Sequence, residues 1–387
     1  LIFLTVTGSF TSAVLYDRHH KRKAQQRWCN LVSPLAQEPL PTNLMPRRVT
    51  IILAGPPGDS VRVAREHFHE YIKPILVAGA VDWEVIEGRR EGEVRAGLAE
   101  KIRKLRRRDG EFSTAEPVRN NEEDALEQAR QNGGIKDWDG VQGDLILGRH
   151  TWKEYIRGLH EGWLGPLDPP TRNTPENSKG TTPHILPTEY PTAAIPSSIP
   201  PSLTPTVVLP LPHLLGFLST PTRLYRFLNR RHLADTTGAS IAALVLATTA
   251  RPYTSTAAPP STENDNRPSP PFSSVISEPR RRWEQEDVLR GEEAEWHKSA
   301  WTDEKDAEKE RQRERVWRED IIIDDRIGER MRVFELQEGD RERALREEEK
   351  MAARKNDWLG DLKTWLGIEQ DKSVKGWEMG LVGNEDD

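Results

Sequence analysis

Three times between Val49 and Leu164 the chain passes from a short apolar stretch through a breaker into a helical stripe, and few folds accommodate that recurrence. Val49 to Ala54 (VTIILA) is a continuous apolar run, as expected of a strand buried on both faces. The GPPGD that follows stops it. Asp59 or Ser60 is placed to cap a helix, and Val61, Ala64, Phe68, Ile72 and Ile75 then recur at helical spacing, with Pro74 ending or kinking that helix. The second round runs from Val81 to Gly88, where Val81, Trp83 and Val85 alternate, into the stripe Val94, Leu98, Ile102 and Leu105. The third joins Val141 to Gly148 (VQGDLILG) to Trp152, Tyr155, Ile156, Leu159 and Trp163. Consecutive strand-helix units predict an α/β fold over 47–164, a mostly parallel sheet with helices on its faces.

Ahead of this domain, Leu1 to Tyr16 carries no charge, and the basic cluster Arg18, Lys21, Arg22, Lys23 and Arg27 follows directly. That order reads as a single transmembrane anchor over 1–16 with a basic juxtamembrane segment over 17–46. The Thr and Ser hydroxyls of the run can be satisfied by the helix's own carbonyls, so a lone helix suits lipid. The run is shorter than the roughly 20 residues a bilayer core requires, and the first residue is Leu rather than Met, so further upstream residues are expected to complete the span. A secretory signal peptide would place its positive charge before the apolar stretch. A buried core helix seldom shows apolar residues on every face.

A chain of 387 residues with 35 % hydrophobic and 30 % charged content is too polar to cross a membrane repeatedly and too long for one compact core. Its formal net charge of −6 gives no whole-chain case for nucleic acid. The one cysteine, Cys29, can form no internal disulfide.

Beyond Trp163 the character changes. Thirteen of the 48 residues from Gly165 to Pro212 are proline, so 165–212 is expected to be an extended linker. Residues 213–252 read as a helical part of the body: Leu224, Phe227 and Leu228 form a stripe, and Ala239 to Ala250 is too short for a second span. A second linker is expected over 253–280. Residues 281–366 mix acids and bases with Trp283, Trp296, Trp301 and Trp317, which suggests long charged amphipathic helices folded back on the sheet domain. Within them Ile321 to Ile323 reads as a short strand, with Met331, Phe334 and Leu336 packing after it. A disordered tail is expected over 367–387.

Most candidate chemistry fails on spacing. Gly55 to Asp59 lies between a strand and a helix, where backbone amides can bind phosphate, but it lacks both the Gly-Lys-Ser/Thr ending of a Walker loop and the GxGxxG pattern. His67 and His69 are two apart on a helix and point to different faces. His19 and His20 belong to the basic juxtamembrane segment, His160-Glu161 lacks a second zincin histidine, and no G-x-S-x-G elbow occurs. The cluster Lys101, Arg103, Lys104, Arg106, Arg107 and Arg108 could meet anionic headgroups, or serve its own helix C-terminus. No catalytic, cofactor-binding or metal-ligating residue is nominated, and no cofactor is expected.

Three long stretches carry a resemblance. RRVTIILAGPPGDSVRVAREHFHEYIKPILVAGAVDWEVIEGRREGEVRAGLAEKIRKLRR, GDLILGRHTWKEYIRGLHEGW and LLGFLSTPTRLYRFLNRRHLAD resemble the fungal Tim fifty-four family, as does the apolar opening followed by DRHHKRKAQQRW. The resemblance implies a non-enzymatic subunit of the mitochondrial inner-membrane translocase that inserts multispanning carrier proteins. It also implies one span, with the bulk of the chain in the intermembrane space. Implied partners are the other translocase subunits, small chaperone complexes with their carrier precursors, and the i-AAA protease. The first two strand-helix units also look somewhat like diacylglycerol-type lipid kinases, so a membrane-tethered lipid kinase is the alternative. Those enzymes need Gly-Gly-Asp-Gly, whereas NGGIKDWDG (Asn132 to Gly140) separates its glycines from its aspartates.

Overall fold

A computed structural model describes residues 2–113, 121–168, 182–257, 281–302 and 314–365. The chain falls into two compact units, Leu1–Gln337 and Glu338–Asp387. The first opens with helix α1 (Ile2–Val32), then β1 (Arg48–Ala54), α2 (Arg62–His67), a π-helical turn (Phe68–Ile72) and α3 (Lys73–Ala78). Next come β2 (Asp82–Gly88), α4 (Glu93–Arg108), α5 (Asn121–Asn132), β3 (Gly143–Leu147) and α6 (Arg149–Leu164). Then follow β4 (Thr206–Leu209), α7 (Thr220–Phe227), α8 (Arg230–Leu246), β5 (Ala250–Pro252) and β6 (Ser255–Ala257). The unit closes with β7 (Arg281–Trp283), α9 (Glu284–Asp287), α10 (Asp325–Gly328) and β8 (Arg332–Phe334). In the second unit α11 (Glu338–Trp365) is the described element.

The anticipated strand-helix rounds form the sheet, whose order is β2-β1-β3-β4-β8-β5. All neighbours are parallel except β5, which runs antiparallel to β8 at one edge. From β1 the chain moves outward to β2, then returns past β1 to β3 and β4. Reversing direction with right-handed crossovers puts the helices before the reversal on one face and those after it on the other. Side chains alternate along each strand. Thus Ile52, Ala54 and Ile146 join Val94, Leu98, Ile102, Trp152, Ile156 and Leu159 in one buried cluster under α4 and α6. Val49, Ile51, Leu53, Leu145 and Leu147, also buried, belong to the opposite face, where α3, α8 and α1 pack together.

Glycine sets the closeness of the α4–α6 packing. A Cβ on Gly162 would lie 2.7 Å from Ile102 Cβ, and one on Gly158 would lie 2.9 Å from the Arg95 carbonyl oxygen. Both positions, four apart on one face of α6, let the two backbones approach. Pro74 kinks rather than ends its helix: it sits in the first turn of α3, just after the π-helical turn.

Several expectations need correction. No side chain of Asp59 or Ser60 caps α2; its N-cap is Val61. The basic juxtamembrane segment expected over 17–46 is not separate from the first helix: residues up to Val32 continue α1 and bury Asp17, Trp28, Leu31 and Val32 against the body. The proline-rich stretch is built into the body over 182–212, where Ile185, Tyr190, Leu203, Val207, Leu209 and Leu211 are buried and β4 pairs parallel with β3 inside the sheet. Proline is tolerated there because Pro205 and Pro210 flank the strand rather than interrupt it. Residues 169–181, 258–280, 303–313 and 366–387, covering parts of both expected linkers and the tail, lie outside the described residues.

The charged region does not form long helices over 281–302 and 314–337. It is a strap of short elements, the longest helical piece being the six-residue 3-10 turn Arg290–Glu295. Its charges pair across the fold instead of at i,i+4: Glu293 meets Arg149 and Lys153, Glu314 meets Arg95, and Glu319 meets Arg157. Ile321 to Ile323 is irregular, and the strand lies at Arg332–Phe334. A long charged helix does occur in the second unit as α11.

Candidate functional site

Parallel strands end together, and ligands of such sheets bind where the strand order reverses. Here that point lies between β1 and β3, beside the Gly55–Asp59 loop and the start of α6. Pro56, Pro57, His150, Leu211, His213 and Trp296 line what remains of the crevice. Gly58 adopts a φ of 88°, which lets the loop turn tightly enough for the Asp59 amide to bond the Pro56 carbonyl at 3.0 Å. His213 Nε2 stands 3.2 Å from Asp59 Oδ2.

The anion position in this crevice is filled by the chain itself. Glu292 on the strap accepts the first amide of α6, Arg149 N–H, at 2.8 Å, and the Leu211 N–H at 2.8 Å. A carboxylate bonded to the first amide of a helix takes the place a phosphate would approach, and like charge opposes a second anion beside it. Burial lifts the Glu292 carboxyl to about 7, against those two amide bonds that favour its charge. The glycines of NGGIKDWDG lie elsewhere. Lys136 in that segment pairs with Asn43 and Met45, ahead of the first residues of β1, so it sits at the edge where the strands begin. Gly55–Asp59 and Gly133–Gly134 are thus at opposite edges and share no phosphate cradle, so the lipid-kinase alternative finds no support among the described residues.

The remaining sequence candidates take structural roles. His160 is buried, donates from Nδ1 to the Ile156 carbonyl at 2.7 Å and accepts the Asp324 amide at Nε2 at 2.9 Å. Burial holds it neutral, at about 4. Glu161 closes an internal ion cluster with Arg95 and Arg103, and Arg95 also meets Glu314 at 2.8 Å. Most of the α4 cluster faces protein: Lys101 bonds Thr50, Arg106 bonds Glu111 and two α6-side carbonyls, and Arg107 bonds Glu100, while Lys104 and Arg108 are exposed. Among the described residues no group of three or more His, Cys, Asp or Glu side chains is placed to hold a metal ion.

The other site candidate is α1, whose halves differ. From Asp17 onward it is clamped on α8. Asp17, 4 % exposed, accepts the Arg230 and Arg231 amides at 3.2 Å each and so caps α8. Trp28 Nε1 bonds Asp235 at 2.9 Å, Arg27 pairs with the same carboxylate, and Lys21 pairs with Glu70. Gly238 lies against the Trp28 ring, so any larger residue there would collide with it. Before Asp17 the helix stands free: Ile2, Phe3, Leu4, Val6, Phe10, Leu15 and Tyr16 are exposed. Its hydroxyls bond inward as expected, Thr5 to Ile2, Thr7 to Phe3, Ser9 to Val6 and Thr11 to Thr7, at 2.8–3.0 Å.

This projection does not meet the expectation of a span. No helix among the described residues is long and apolar enough to cross a membrane. Residues 2–16 rise only about 22 Å at 1.5 Å per residue, against a hydrocarbon core of about 30 Å, and from Asp17 the helix turns charged.

Comparison with known proteins supplies the family. Residues 1–183 and 171–334 match the family described as inner membrane protein import complex subunit Tim54. The chain belongs to the Tim54 family. It is 46 % identical to the mitochondrial import inner membrane translocase subunit tim54 of Aspergillus fumigatus, over 86 % of this chain and 85 % of that protein. The corresponding figures are 45 %, 89 % and 86 % for the subunit of Aspergillus oryzae, and 40 %, 89 % and 78 % for that of Neurospora crassa. The family match takes in α1, the sheet and the strap as far as Phe334, so both the blocked crevice and the divided helix lie within the matched residues.

Proposed function

We propose that this Tim54-family chain is a non-enzymatic subunit of the mitochondrial translocase that inserts multispanning carrier proteins. The apolar half of α1 embeds in the inner membrane. The sheet body stands in the intermembrane space, where it scaffolds the other subunits and docks chaperone complexes carrying precursors; the i-AAA protease is a further partner. The observation that carries the reading is the divided helix: residues 2–16 are uncharged and exposed apart from the half-buried Ala13 and Val14, with Thr5, Thr7, Ser9 and Thr11 bonded to the helix's own carbonyls, while 17–32 are fixed to the body. Such a helix transmits position from lipid to a rigid domain.

Protease protection of isolated mitochondria tests the compartment. The body is expected to resist added protease while the outer membrane is intact and to be cut once swelling ruptures it. Cleavage before rupture, or protection that persists until the inner membrane is opened, contradicts the assignment.

A further inference from the structure

Phe217 and Leu218 are 88 % and 95 % exposed, more than any large hydrophobic in the free half of α1. They lead into α7, where Leu224, Tyr225 and Phe227 are exposed as well. This is not a loose loop. Arg226 grips Glu295 through two bonds of 2.5 and 2.8 Å, and a Cβ on Gly216 would meet the His297 ring at 3.5 Å.

The fold fixes which edge these side chains occupy. Arg47, just before β1, donates to the Leu244 and Val245 carbonyls, so α8 ends at the edge where the strands begin. It therefore starts at the edge where they end, the edge of the crevice. Helix α1 runs beside it in the same direction: Asp17 caps its first residues, and Val32 and Val245 both lie against Gly79. The apolar half of α1 consequently leaves the body at the strand-end edge. There the chain passes from Phe227 through Leu228 and Asn229 to the capped Arg230, and the Arg231 guanidinium sits 5.4 Å from the Tyr16 ring centre.

We infer that the strand-end edge lies on the lipid surface, with Phe217, Leu218 and the exposed side of α7 dipping into the headgroup layer beside α1. The occupant is a bilayer because the patch is continuous with the helix assigned to lipid, a step that rests on the proposed function. Its makeup agrees: aromatic and leucine side chains among Arg223, Arg230 and Arg231 suit an anionic interface. This contact holds the body against the membrane at two points and fixes which edge faces outward.

The test uses the full chain with Cys29→Ser, reconstituted into phosphatidylcholine vesicles containing an anionic lipid. An environment-sensitive fluorophore is placed in turn at Leu218→Cys, Phe10→Cys and Phe112→Cys. Phe112, 85 % exposed, follows α4 at the opposite edge and is the control. With headgroup-proximal quenchers in the lipid, the probe at 218 is expected to shift blue and lose emission while that at 112 does neither. Emission at 218 that matches 112, whether both are quenched or neither is, overturns the inference. The probe at 10 reports the anchor separately: quenching at 10 without quenching at 218 retains the anchor and removes the second contact, and the reverse retains the contact and removes the anchor.

Discussion

At the residue scale, three helices in this molecule have no local side-chain cap and borrow a carboxylate from far along the chain. Asp17 closes α8, Glu292 closes α6, and Glu154 closes α4 by accepting the Gly92, Val94 and Arg95 amides. Each links a helix end to another element, so the cap doubles as a tertiary contact. Burial raises the Glu154 carboxyl from 4.5 to about 7. The folded state then holds a proton that the unfolded chain gives up between those values, so this contribution is full below pH 4.5 and is lost as pH rises through 7. Glu154→Gln cannot titrate. Relative to the parent, its unfolding free energy is expected to improve by on the order of 2 kcal/mol between pH 5 and pH 7.5, measured by urea melts; an unchanged difference would refute a raised carboxyl. None of these caps was legible in the sequence, because partners such as Asp17 and Arg230 are 213 positions apart. In the sequence Asp17 reads as the end of an apolar run, not as a buried cap.

At the element scale, legibility followed local period. The strands after Arg47, Val81 and Gln142 and the stripes of α4 and α6 were plain because each carries its own apolar pattern: Val94, Leu98, Ile102, Trp152 and Ile156 are buried as that pattern requires, although Val85 on the edge strand and Leu105 near the end of α4 are exposed. β4 was hidden by the prolines around it, although Val207, Val208 and Leu209 form a short apolar run of the kind that marked β1. The strap was misread as helix because its charges satisfy an i,i+4 template equally well. Only the fold reveals that Glu293, Glu314 and Glu319 have distant partners. The α1–α8 contact is the element on which the functional reading turns, and at Gly238 a Cβ would run into the Trp28 ring. Gly238→Leu is expected to push Trp28 out and cost about 1–3 kcal/mol by overpacking. Limited proteolysis should then cut within 17–32 while β1 to β3 remain protected. Resistance equal to the parent would place the clamp elsewhere.

At the scale of the whole molecule, the sheet has the order and crossovers of a ligand-binding α/β domain, but its crevice is occupied by Glu292 and its glycine segments lie at opposite edges. What the molecule offers instead is a rigid body joined to an exposed apolar helix through one capped junction. The sequence conveyed the apolar run and the family. It did not convey that the same helix continues into the body, since the change from apolar to charged at Asp17 looks like a boundary. Alkaline carbonate washing of mitochondria tests that account most directly. The full-length chain is expected to stay with the membrane pellet, and a variant carrying Leu4→Asp and Phe10→Asp to move to the supernatant with its body still folded. Release of the unaltered chain, or equal retention of the two, would contradict a helix held in lipid by its first half.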